Sequence, residues 1–344
     1  MKIALCSSYV PFINSGARYI VEWLQATLEE YGHQVERVYL PEVDAPDLLF
    51  QQMMAYRWVD LEAADRLICF RPQSHLIPHH HKILWFIHHI RAFYDLWNSP
   101  YRPFPDDPKH RGIRDALRMA DDSGIREAKA VFTKSQVVSD RLRNFNNVES
   151  EVLYPPVFRP ERFHSVGFSD EIVCICRLEH HKRQHLLIEA MRFVKSPVRL
   201  RLFGASAGDE YPRQLNKLIS DFGLGNRVAL DVRWISEAEK VEQLARCLAA
   251  AYLPVDEDSY GYPSIEASHA SKPVLTTADA VGVLELVQDG VNGYVAEADP
   301  KALAAAIDRL YLDRAKTETM GKNAVARLAG LNISLHHVMQ RLLA

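Results

Sequence analysis

The sequence YPPVFRP at residues 154–160 divides the chain into two halves that repeat one pattern. Prolines cannot continue a helix or a central strand, so a domain boundary is expected at this stretch. On both sides of it, short apolar runs alternate with helical stretches, which is typical of a parallel sheet with helices on both faces. We therefore predict an α/β protein with two Rossmann-like, doubly wound domains, over residues 1–157 and 158–328.

The strands of the two sheets are predicted from the short apolar runs. In the first half these runs are Met1–Cys6, Gln34–Leu40, Asp65–Phe70, Lys82–Ile87, Ala128–Thr133 and Glu151–Tyr154. In the second half they are Glu171–Cys176, Val198–Phe203, Arg227–Val232, Ala249–Leu253, Pro273–Thr276 and Gly293–Val295. Residues 329–344 are predicted to contain a C-terminal helix that belongs to the second domain or packs back on the first. Ligands of open parallel sheets bind beyond the carboxyl ends of the strands, so the residues that follow each strand are the first candidates for a functional role.

The composition is that of an ordinary globular protein. The 344 residues carry 41 basic and 44 acidic side chains, and a net charge of -3 provides no bulk field to recruit nucleic acid. Five cysteines, an odd number lying mostly in apolar runs, do not indicate a disulfide framework. No signal peptide or membrane-spanning run is evident. A cytoplasmic protein is expected.

Two cations follow the first strand of the second half. Arg177 and Lys182 lie between a predicted strand and a helix, at the edge where a ligand would bind. Arginine offers a fork to phosphate oxygens and lysine a compact charge, so the pair suits a diphosphate and the negative charge of a leaving group. The alternative is that both are solvated surface charges.

An acidic loop, Asp256–Ala267, follows a second apolar strand of the same half. Asp258 is placed to accept hydrogen bonds from sugar hydroxyls, and Glu266, one turn into the next helix, to reach a ribose. Gly261, between Tyr260 and Tyr262, would let backbone amides approach a ligand closely. Acids in such a loop are also compatible with a metal site, with general acid–base catalysis or with a merely solvated turn.

The order and spacing of these two segments resemble the double signature of the family-four, or group 1, retaining glycosyltransferases. The glycines of Phe203-Gly204 and Gly208, and a later set of Gly282, Glu285, Gly290, Asn292 and Gly293, agree with the same family. Asp258 departs from it, because the family usually has Glu at this position. The resemblance implies a GT-B fold, in which two Rossmann-like domains face a central cleft.

The resemblance also implies an activity. It is the transfer of a sugar, with retention of its anomeric configuration, from a nucleotide-diphosphate donor to a hydroxyl of a sugar, lipid-linked or small-molecule acceptor. No metal and no cofactor would be required, since Arg177, Lys182 and helix amides would take the charge-neutralising role. Arg177, Lys182 and Asp258 would be catalytic as well as donor-binding. The other donor-binding residues would be Gly16, Gly204, Arg233, Trp234, Tyr260, Gly261, Tyr262 and Glu266.

The first loop and the base-binding stretch carry less specific signals. The family commonly has a Gly-Gly pair followed by an acid, where this chain has Ser15-Gly16-Ala17-Arg18. The amide of Gly16 remains suited to a phosphate, and Arg18 is either an added charge or an exposed first-turn residue. Arg233-Trp234 occupies the stretch whose backbone reads the base in the family, so the sequence leaves the base open.

Several histidines of the first domain are candidates for a functional role. The resemblance favours His88, after the strand Lys82–Ile87, as a catalytic residue that hydrogen-bonds a donor hydroxyl or orients the acceptor, the alternative being a structural histidine. His89 is more readily structural. His79, His80 and His81, with His75 nearby, do not predict a metal site, because adjacent loop residues rarely converge on one ion.

The segment Arg91–Trp97 resembles a bacterial subgroup of the family. Its aromatic residues Phe93, Tyr94 and Trp97 would stack on an acceptor or, more commonly, form part of a core. A basic face near Arg141, Arg143 or residues 102–114 leaves open a peripheral contact with the inner face of the membrane if the acceptor is lipid-linked.

Three rival functions are compatible with such a fold. A nucleotide-sugar epimerase or phosphorylase would use the same site without a separate acceptor, and an inactive nucleotide-sugar-binding protein would keep the site without turnover. A Rossmann-type oxidoreductase is disfavoured, since no Gly-x-Gly-x-x-Gly follows the first strand.

Overall fold

The computed structural model describes residues 1–12, 16–42, 45–99 and 102–344. The chain forms two compact units, one made of Met1–Pro155 with Leu335–Ala344 and the other of Pro156–Ser334. Each has its own sheet and its own buried apolar residues, so each is described by itself below.

Within the described residues, unit 1 has a six-stranded parallel sheet with the strand order β2-β1-β3-β4-β5-β6. Its strands are β1 (Lys2–Tyr9), β2 (Gln34–Pro41), β3 (Arg66–Cys69), β4 (Lys82–Phe86), β5 (Ala130–Thr133) and β6 (Glu151–Val152). The helices between them are α1 (Gly16–Glu30), α2 (Leu49–Arg57), α3 (Pro108–Arg126) and α4 (Gln136–Asn146). The central strands β3 and β4 are buried along their whole length, as expected for a sheet covered on both faces.

Unit 2 repeats the architecture with the strand order β12-β11-β10-β7-β8-β9 over its described residues. Its strands are β7 (Glu171–Ile175), β8 (Arg199–Phe203), β9 (Val228–Asp231), β10 (Ala249–Ala251), β11 (Val274–Thr277) and β12 (Gly293–Ala296). Its helices are α5 (Gln184–Met191), α6 (Glu210–Asp221), α7 (Glu237–Arg246), α8 (Tyr262–His269), α9 (Pro300–Leu312) and α10 (Arg314–Gly330). The strand order reverses between β7 and β10, which is the position where open parallel sheets bind ligands.

Local sequence explains where several of these helices begin. Asp107, Ser135, Ser236 and Asp299 stand just before α3, α4, α7 and α9, and each side chain accepts a hydrogen bond from a backbone N–H of the first turn. Such caps satisfy amides that have no partner inside the helix and stabilise it by about 1 kcal/mol each. Short polar residues after apolar strands therefore set the strand–loop–helix alternation that the sequence predicts. Every predicted strand is present, with its ends shifted by no more than a few residues.

The last helix, α11 (Leu335–Leu343), belongs to unit 1 although it follows unit 2 in the chain. Arg66 of β3 donates hydrogen bonds to the carbonyl oxygens of Leu342 and Ala344, the second at 3.1 Å. Arg341 forms a two-pronged ion pair with Glu151 at 2.6 and 2.8 Å. These contacts attach the end of the chain to both the centre and the edge of the first sheet. None of the helices in the described part of the chain is both long enough and apolar enough to cross a membrane.

Candidate active site

The main candidate site lies at the carboxyl ends of β7 and β10 in unit 2. These two strands are hydrogen-bonded neighbours, so the loops that follow them meet at the point where the strand order reverses. Arg177 and Lys182 are in the loop after β7, and Asp258 is in the loop after β10. The structure therefore brings together the two segments that the sequence analysis singled out, although 75 residues separate Lys182 from Glu257.

Lys182 is buried, with 7% of its surface exposed. Its ammonium group donates a hydrogen bond of 2.9 Å to the hydroxyl of Tyr252 and forms a close ion pair with Oε2 of Glu257. The Tyr252 hydroxyl in turn donates to the same Glu257 oxygen at 2.8 Å. The three groups close a triangle in which the buried charge is paired, as a buried lysine requires. Burial, followed by the Glu257 carboxylate, raises the pKa of Tyr252 well above its ordinary value, so the hydroxyl keeps its proton.

Arg183, the next residue, fixes the backbone around this triangle. Its guanidinium donates to the carbonyl oxygens of Leu253 and Pro254 at 2.7 and 2.9 Å and forms a two-pronged ion pair with Asp279, both contacts at 2.7 Å. It also donates to Thr277 at 2.6 Å. The Arg183 side chain, in the loop after β7, thus connects this loop to the loops after β10 and β11. The sequence analysis missed Arg183, whose only local signal is its place beside Lys182.

Arg177 differs from Lys182 in its exposure. Nearly half of its side chain is accessible, and its guanidinium pairs with Glu179 at 2.5 Å. Its backbone is held more firmly, because the buried Gln184 donates a hydrogen bond of 2.9 Å to the Arg177 carbonyl oxygen. The guanidinium can therefore exchange Glu179 for another anion at small cost, since exposed ion pairs contribute little.

The acidic loop is closely packed. Asp258 is 8% exposed. A Cβ atom on Gly282 would come within 2.5 Å of the Ser259 nitrogen, and the Gly282 amide donates to the Glu257 carbonyl oxygen at 3.0 Å. Gly282, which the sequence analysis noted only as a family match, is thus the residue that allows the segment after β11 to support this loop.

Gly261 ends the loop at the start of α8. Its φ of +71° lies in the region that favours glycine, and a Cβ atom there would come within 2.3 Å of the Tyr252 ring. The ring of Tyr252 therefore packs directly on the Gly261 backbone. Tyr260 is buried and Tyr262 is half-buried, as the first residue of α8.

Glu266, one turn into α8, is 4% exposed and accepts a hydrogen bond of 2.6 Å from Lys240. Burial raises the pKa of the Glu266 carboxyl above its ordinary value, although Lys240 opposes this shift. Lys240 also pairs with Glu237 at 2.9 Å, and these two acids keep the pKa of Lys240 raised in spite of its burial. The sequence analysis missed Lys240, which lies 26 residues before Glu266 on another helix.

The remaining donor-binding candidates of unit 2 lie around β8 and β9. Gly204 follows β8, and a Cβ atom there would come within 1.9 Å of the Cys176 carbonyl oxygen, so glycine is required where the loop passes the end of β7. Arg233 pairs with Asp231 at 3.0 Å and with both oxygens of Glu239 at 2.5 and 2.9 Å. Trp234 is 60% exposed, which is unusual for tryptophan in a folded protein.

In unit 1, Gly16 is the first residue of α1 and follows β1. Ser15, the residue before it in the loop discussed above, lies outside the described residues. Arg18 pairs with Glu22 at 2.8 Å on the same helix. The sequence places Gly16 in the loop after the first strand, whereas in the structure it is already the first residue of α1.

His88 follows β4 and is half-buried. Its Nδ1 lies 2.7 Å from the carbonyl oxygen of His89, which can only accept, so Nδ1 carries a proton. In the neutral ring, Nε2 is then the acceptor. His89 is instead buried and bonded to Asn146 at 2.8 Å, and burial lowers the pKa of its ring. His89 is a structural histidine.

The aromatic segment after β4 forms part of a core. Phe93, Tyr94 and Trp97 are all at most 5% exposed and pack against α3. The Tyr94 hydroxyl donates to Asp121 at 2.6 Å, and Asp121 also bonds His75 at 2.8 Å. Of the two alternatives for this segment, the core is the one the structure shows.

In the structure an acidic residue, Glu62, lies close to His79 and His80. Among the described residues, Glu62, His79 and His80 place one ligand atom each within 4.8 Å of one another. However, His79 Nε2 bonds the Ala64 carbonyl oxygen at 3.1 Å, and its Nδ1 accepts from the His81 amide at 2.9 Å. Both ring nitrogens are thus occupied, which does not favour metal binding at His79.

A family model matches part of this chain, and related sequences and solved structures are similar to it. Residues 163–327 match the family model described as Glycosyl transferases group 1, which confirms the resemblance. The chain is 24% identical over 307 residues to "Alpha-1,3/1,6-mannosyltransferase ALG2" of Homo sapiens, an alignment that covers 81% of this chain and 71% of the human protein.

Two solved structures are similar over nearly the whole chain. Sucrose-phosphate synthase from Thermosynechococcus elongatus has a TM-score of 0.76 at 17% identity, with 98% of this chain and 97% of that chain covered. Anabaena Alr3699/HepE, solved in complex with UDP, has a TM-score of 0.70 at 20% identity, with 99% and 98% covered. These similarities confirm the predicted fold class, a GT-B arrangement of two doubly wound parallel sheets.

Proposed function

We propose that this chain, whose residues 163–327 match the group 1 glycosyl transferases, transfers a sugar from a nucleoside-diphosphate donor with retention of configuration and without a divalent metal. The acceptor is a hydroxyl of a glycan, a lipid-linked sugar or a small molecule. The observation that carries the proposal is that Lys182 follows β7 while Asp258 and Glu266 follow β10, the strand paired with β7 in unit 2, and that all three residues are buried.

Lys182 and Arg177 bind the donor diphosphate in this proposal. Lys182 supplies a fixed, buried charge, whereas Arg177 supplies an exposed fork that exchanges Glu179 for phosphate oxygens. Both cations stabilise the charge that grows on the leaving nucleoside diphosphate as the bond to the sugar breaks. They thereby take the role that a divalent metal has in other transferases.

The carboxylates orient the rest of the donor. Asp258 accepts hydrogen bonds from hydroxyls of the sugar, and Glu266 accepts from the ribose. Lys240 opposes the rise that burial causes in the pKa of Glu266, and its ammonium group donates to the Glu266 carboxylate at 2.6 Å. Gly261 allows the backbone to approach the ligand at the start of α8, and Tyr260 and Tyr262 flank it.

Further donor contacts are proposed on loops of each unit. The backbone at Gly204 and Arg233-Trp234 contacts the nucleotide, and the amide of Gly16 contacts a phosphate. His88 accepts a hydrogen bond from a hydroxyl of the donor sugar or of the acceptor through Nε2, because its Nδ1 proton is bonded to the His89 carbonyl oxygen. The leaving diphosphate itself assists removal of the proton from the acceptor hydroxyl.

The donor base is open to a direct test. HepE was solved with UDP, so UDP leads the panel, followed by GDP, ADP and CMP. Thermal unfolding in EDTA is measured for the wild type, Lys182→Ala and Lys217→Ala. Lys217 is a control because it is exposed on α6 and pairs only with its neighbour Asp221 among the contacts described.

One nucleoside diphosphate is expected to stabilise the wild type and Lys217→Ala, by about 2.7 kcal/mol at a hundredfold excess over Kd. Lys182→Ala is expected to lose most of this effect. Equal stabilisation of all three proteins would contradict the role of Lys182, and the absence of any response would contradict nucleotide binding.

Turnover is then tested with the matching nucleotide sugar and a panel of alkyl glucosides, alkyl mannosides and polyprenyl-phosphate sugars. Proton NMR of the fresh product reports the anomeric configuration. Retention in the presence of EDTA is expected. An inverted product would overturn the stereochemical proposal, and activity that EDTA removes and Mg²⁺ restores would overturn metal independence.

A further inference from the structure

The triangle of Lys182, Tyr252 and Glu257 has a geometry that goes beyond pairing a buried charge. The Lys182 ammonium group has three N–H donors, of which one is directed at the Tyr252 hydroxyl and one at Glu257. Because Tyr252 also donates to Glu257, each member of the triangle restrains the other two. The direction of the third N–H is therefore fixed by the first two.

The two partners of Lys182 are themselves held by the backbone on several sides. Tyr252 directly follows β10, and its ring packs on the Gly261 backbone. Glu257 is anchored through its carbonyl oxygen by the Gly282 amide at 3.0 Å. The Val255 amide donates to the His181 carbonyl oxygen at 2.9 Å, which joins the loop of Glu257 to the turn that carries Lys182.

A lysine that is held in one rotamer differs chemically from a mobile one. A free lysine side chain loses conformational entropy when it is ordered on a ligand. If the ordering takes place on folding, the ammonium group is already in position when charge develops on the leaving group, and this kind of preorganised electrostatic stabilisation accelerates a reaction most.

We propose that Glu257 and Tyr252 are positioning residues, which hold the ammonium group of Lys182 with one N–H directed at the donor diphosphate. This inference rests on the proposed function, because it assumes that Lys182 binds the diphosphate. Neither Glu257 nor Tyr252 is among the donor-binding residues proposed above. Glu257 acts through the charge of Lys182, and Tyr252 through its position.

The test uses the full chain with the nucleotide sugar identified above and compares Glu257→Gln, Tyr252→Phe and Lys182→Ala. Glu127→Gln is the matched control. Glu127 forms an ion pair of 2.8 Å with a different buried lysine, Lys82 of unit 1, and so reports what the loss of a buried Lys–Glu pair does to the whole protein.

The readout is the pH dependence of kcat and kcat/KM between about pH 6 and pH 10. The other titratable groups near Lys182 are the thiol of Cys174 on β7, the thiol of Cys176 just after this strand, and the His181 ring, which pairs with Glu179. A Cys176→Ser variant therefore accompanies the series and identifies any contribution of the thiols to the alkaline limb.

In Glu257→Gln the alkaline limb is expected to differ from that of the wild type, since the buried ammonium group loses the carboxylate that is paired with it. A roughly tenfold fall in kcat is expected, with a smaller change in the donor KM, because the loss falls on the transition state. Tyr252→Phe keeps the ring on Gly261 and is expected to lower kcat with a smaller shift of the limb. Glu127→Gln is expected to lower the melting temperature and leave the pH profile unchanged.

The possible failures are distinguishable. If Lys182→Ala keeps normal donor binding and turnover, the proposed function of Lys182 fails and the positioning role fails with it. If Lys182→Ala is inactive but Glu257→Gln and Tyr252→Phe have the wild-type kcat and pH profile, only the positioning role is overturned. If Glu127→Gln shifts the profile as much as Glu257→Gln, the effect is global and the inference is also overturned. Should Glu257→Gln not fold, Tyr252→Phe alone decides through its kcat.

Discussion

Gly261 offers the most direct test of how the candidate site is packed. In Gly261→Ala the new Cβ atom meets two separate obstacles: the backbone φ is +71°, and the Tyr252 ring carbon Cε1 lies only 2.3 Å from the ideal Cβ position. The ring cannot retreat freely, because its hydroxyl is bonded to both Lys182 and Glu257. The substitution therefore strains the backbone and the triangle together.

The magnitude follows from these two obstacles. A left-handed conformation costs a residue with a Cβ atom about 1–2 kcal/mol, and overpacking a closely packed site by one methyl group typically costs about 1–3 kcal/mol. Gly261→Ala is thus expected to lower the free energy of unfolding by about 2–5 kcal/mol. Gly290→Ala provides the control. Gly290 has a φ of +69°, but its Cβ position has no atom within 4 Å, so it incurs only the backbone cost of about 1–2 kcal/mol.

Both free energies are measured by urea unfolding followed by circular dichroism, and hydrogen exchange of peptides that cover α8 and β10 identifies the unit affected. Donor binding is measured in parallel. Gly261→Ala is expected to weaken it through displacement of Tyr252, whereas Gly290→Ala is expected to leave it intact. Equal destabilisation of the two variants would refute the reasoning, because it would mean that the Tyr252 ring yields without cost.

Three further substitutions test contacts elsewhere in the two units. Burial raises the pKa of the Glu266 carboxyl above 4.5, so this group stabilises the folded state most below that pH and its contribution is lost as the pH rises. The stability of the wild type minus that of Glu266→Gln should therefore fall as the pH is raised from 4.5, and a constant difference in urea unfolding would contradict this. Burial, with smaller effects of neighbouring charges, lowers the pKa of His185 from 6.5 to about 4. Between these two pH values the unfolded chain binds a proton that the folded chain does not bind. The free energy of unfolding of the wild type should therefore rise from pH 4 to pH 6.5 more steeply than that of His185→Gln, again measured by urea unfolding. Arg66→Met removes the donors to the backbone oxygens of Leu342 and Ala344. Amide hydrogen exchange should therefore become faster in residues 335–344 and keep its wild-type rate in residues 156–334, and an unchanged exchange rate in residues 335–344 would show that other contacts hold α11.

The architecture could be predicted in advance because its signals are local. Apolar runs and their spacing identify all the strands of both sheets, and the chemistry of proline marks the division between the units. The placement of Arg177, Lys182 and Asp258 also follows, since residues after neighbouring parallel strands meet at one edge of the sheet. The resemblance to the group 1 glycosyltransferases was stated from these same residues.

The partners of those residues could not be predicted. Glu257 pairs with Lys182 across 75 residues, and Arg183 reaches Asp279 across 96. Lys240 pairs with Glu266 from a different helix, and α11 joins the first unit after the chain has completed the second. No sequence pattern connects such positions, because side chains far apart in the chain become neighbours only through the packing of the strands and helices that carry them.

The sequence by itself therefore determined the fold class, the strand positions and the identity of the charged residues at the sheet edge, all of which depend on short-range periodicity and chemistry. Only the tertiary structure decided which of these charges are buried, which acid each cation contacts, and that Tyr252 packs between Gly261 and Lys182. The physical reason is that hydrophobic periodicity is read along the chain, whereas burial and ion pairing depend on distances across it.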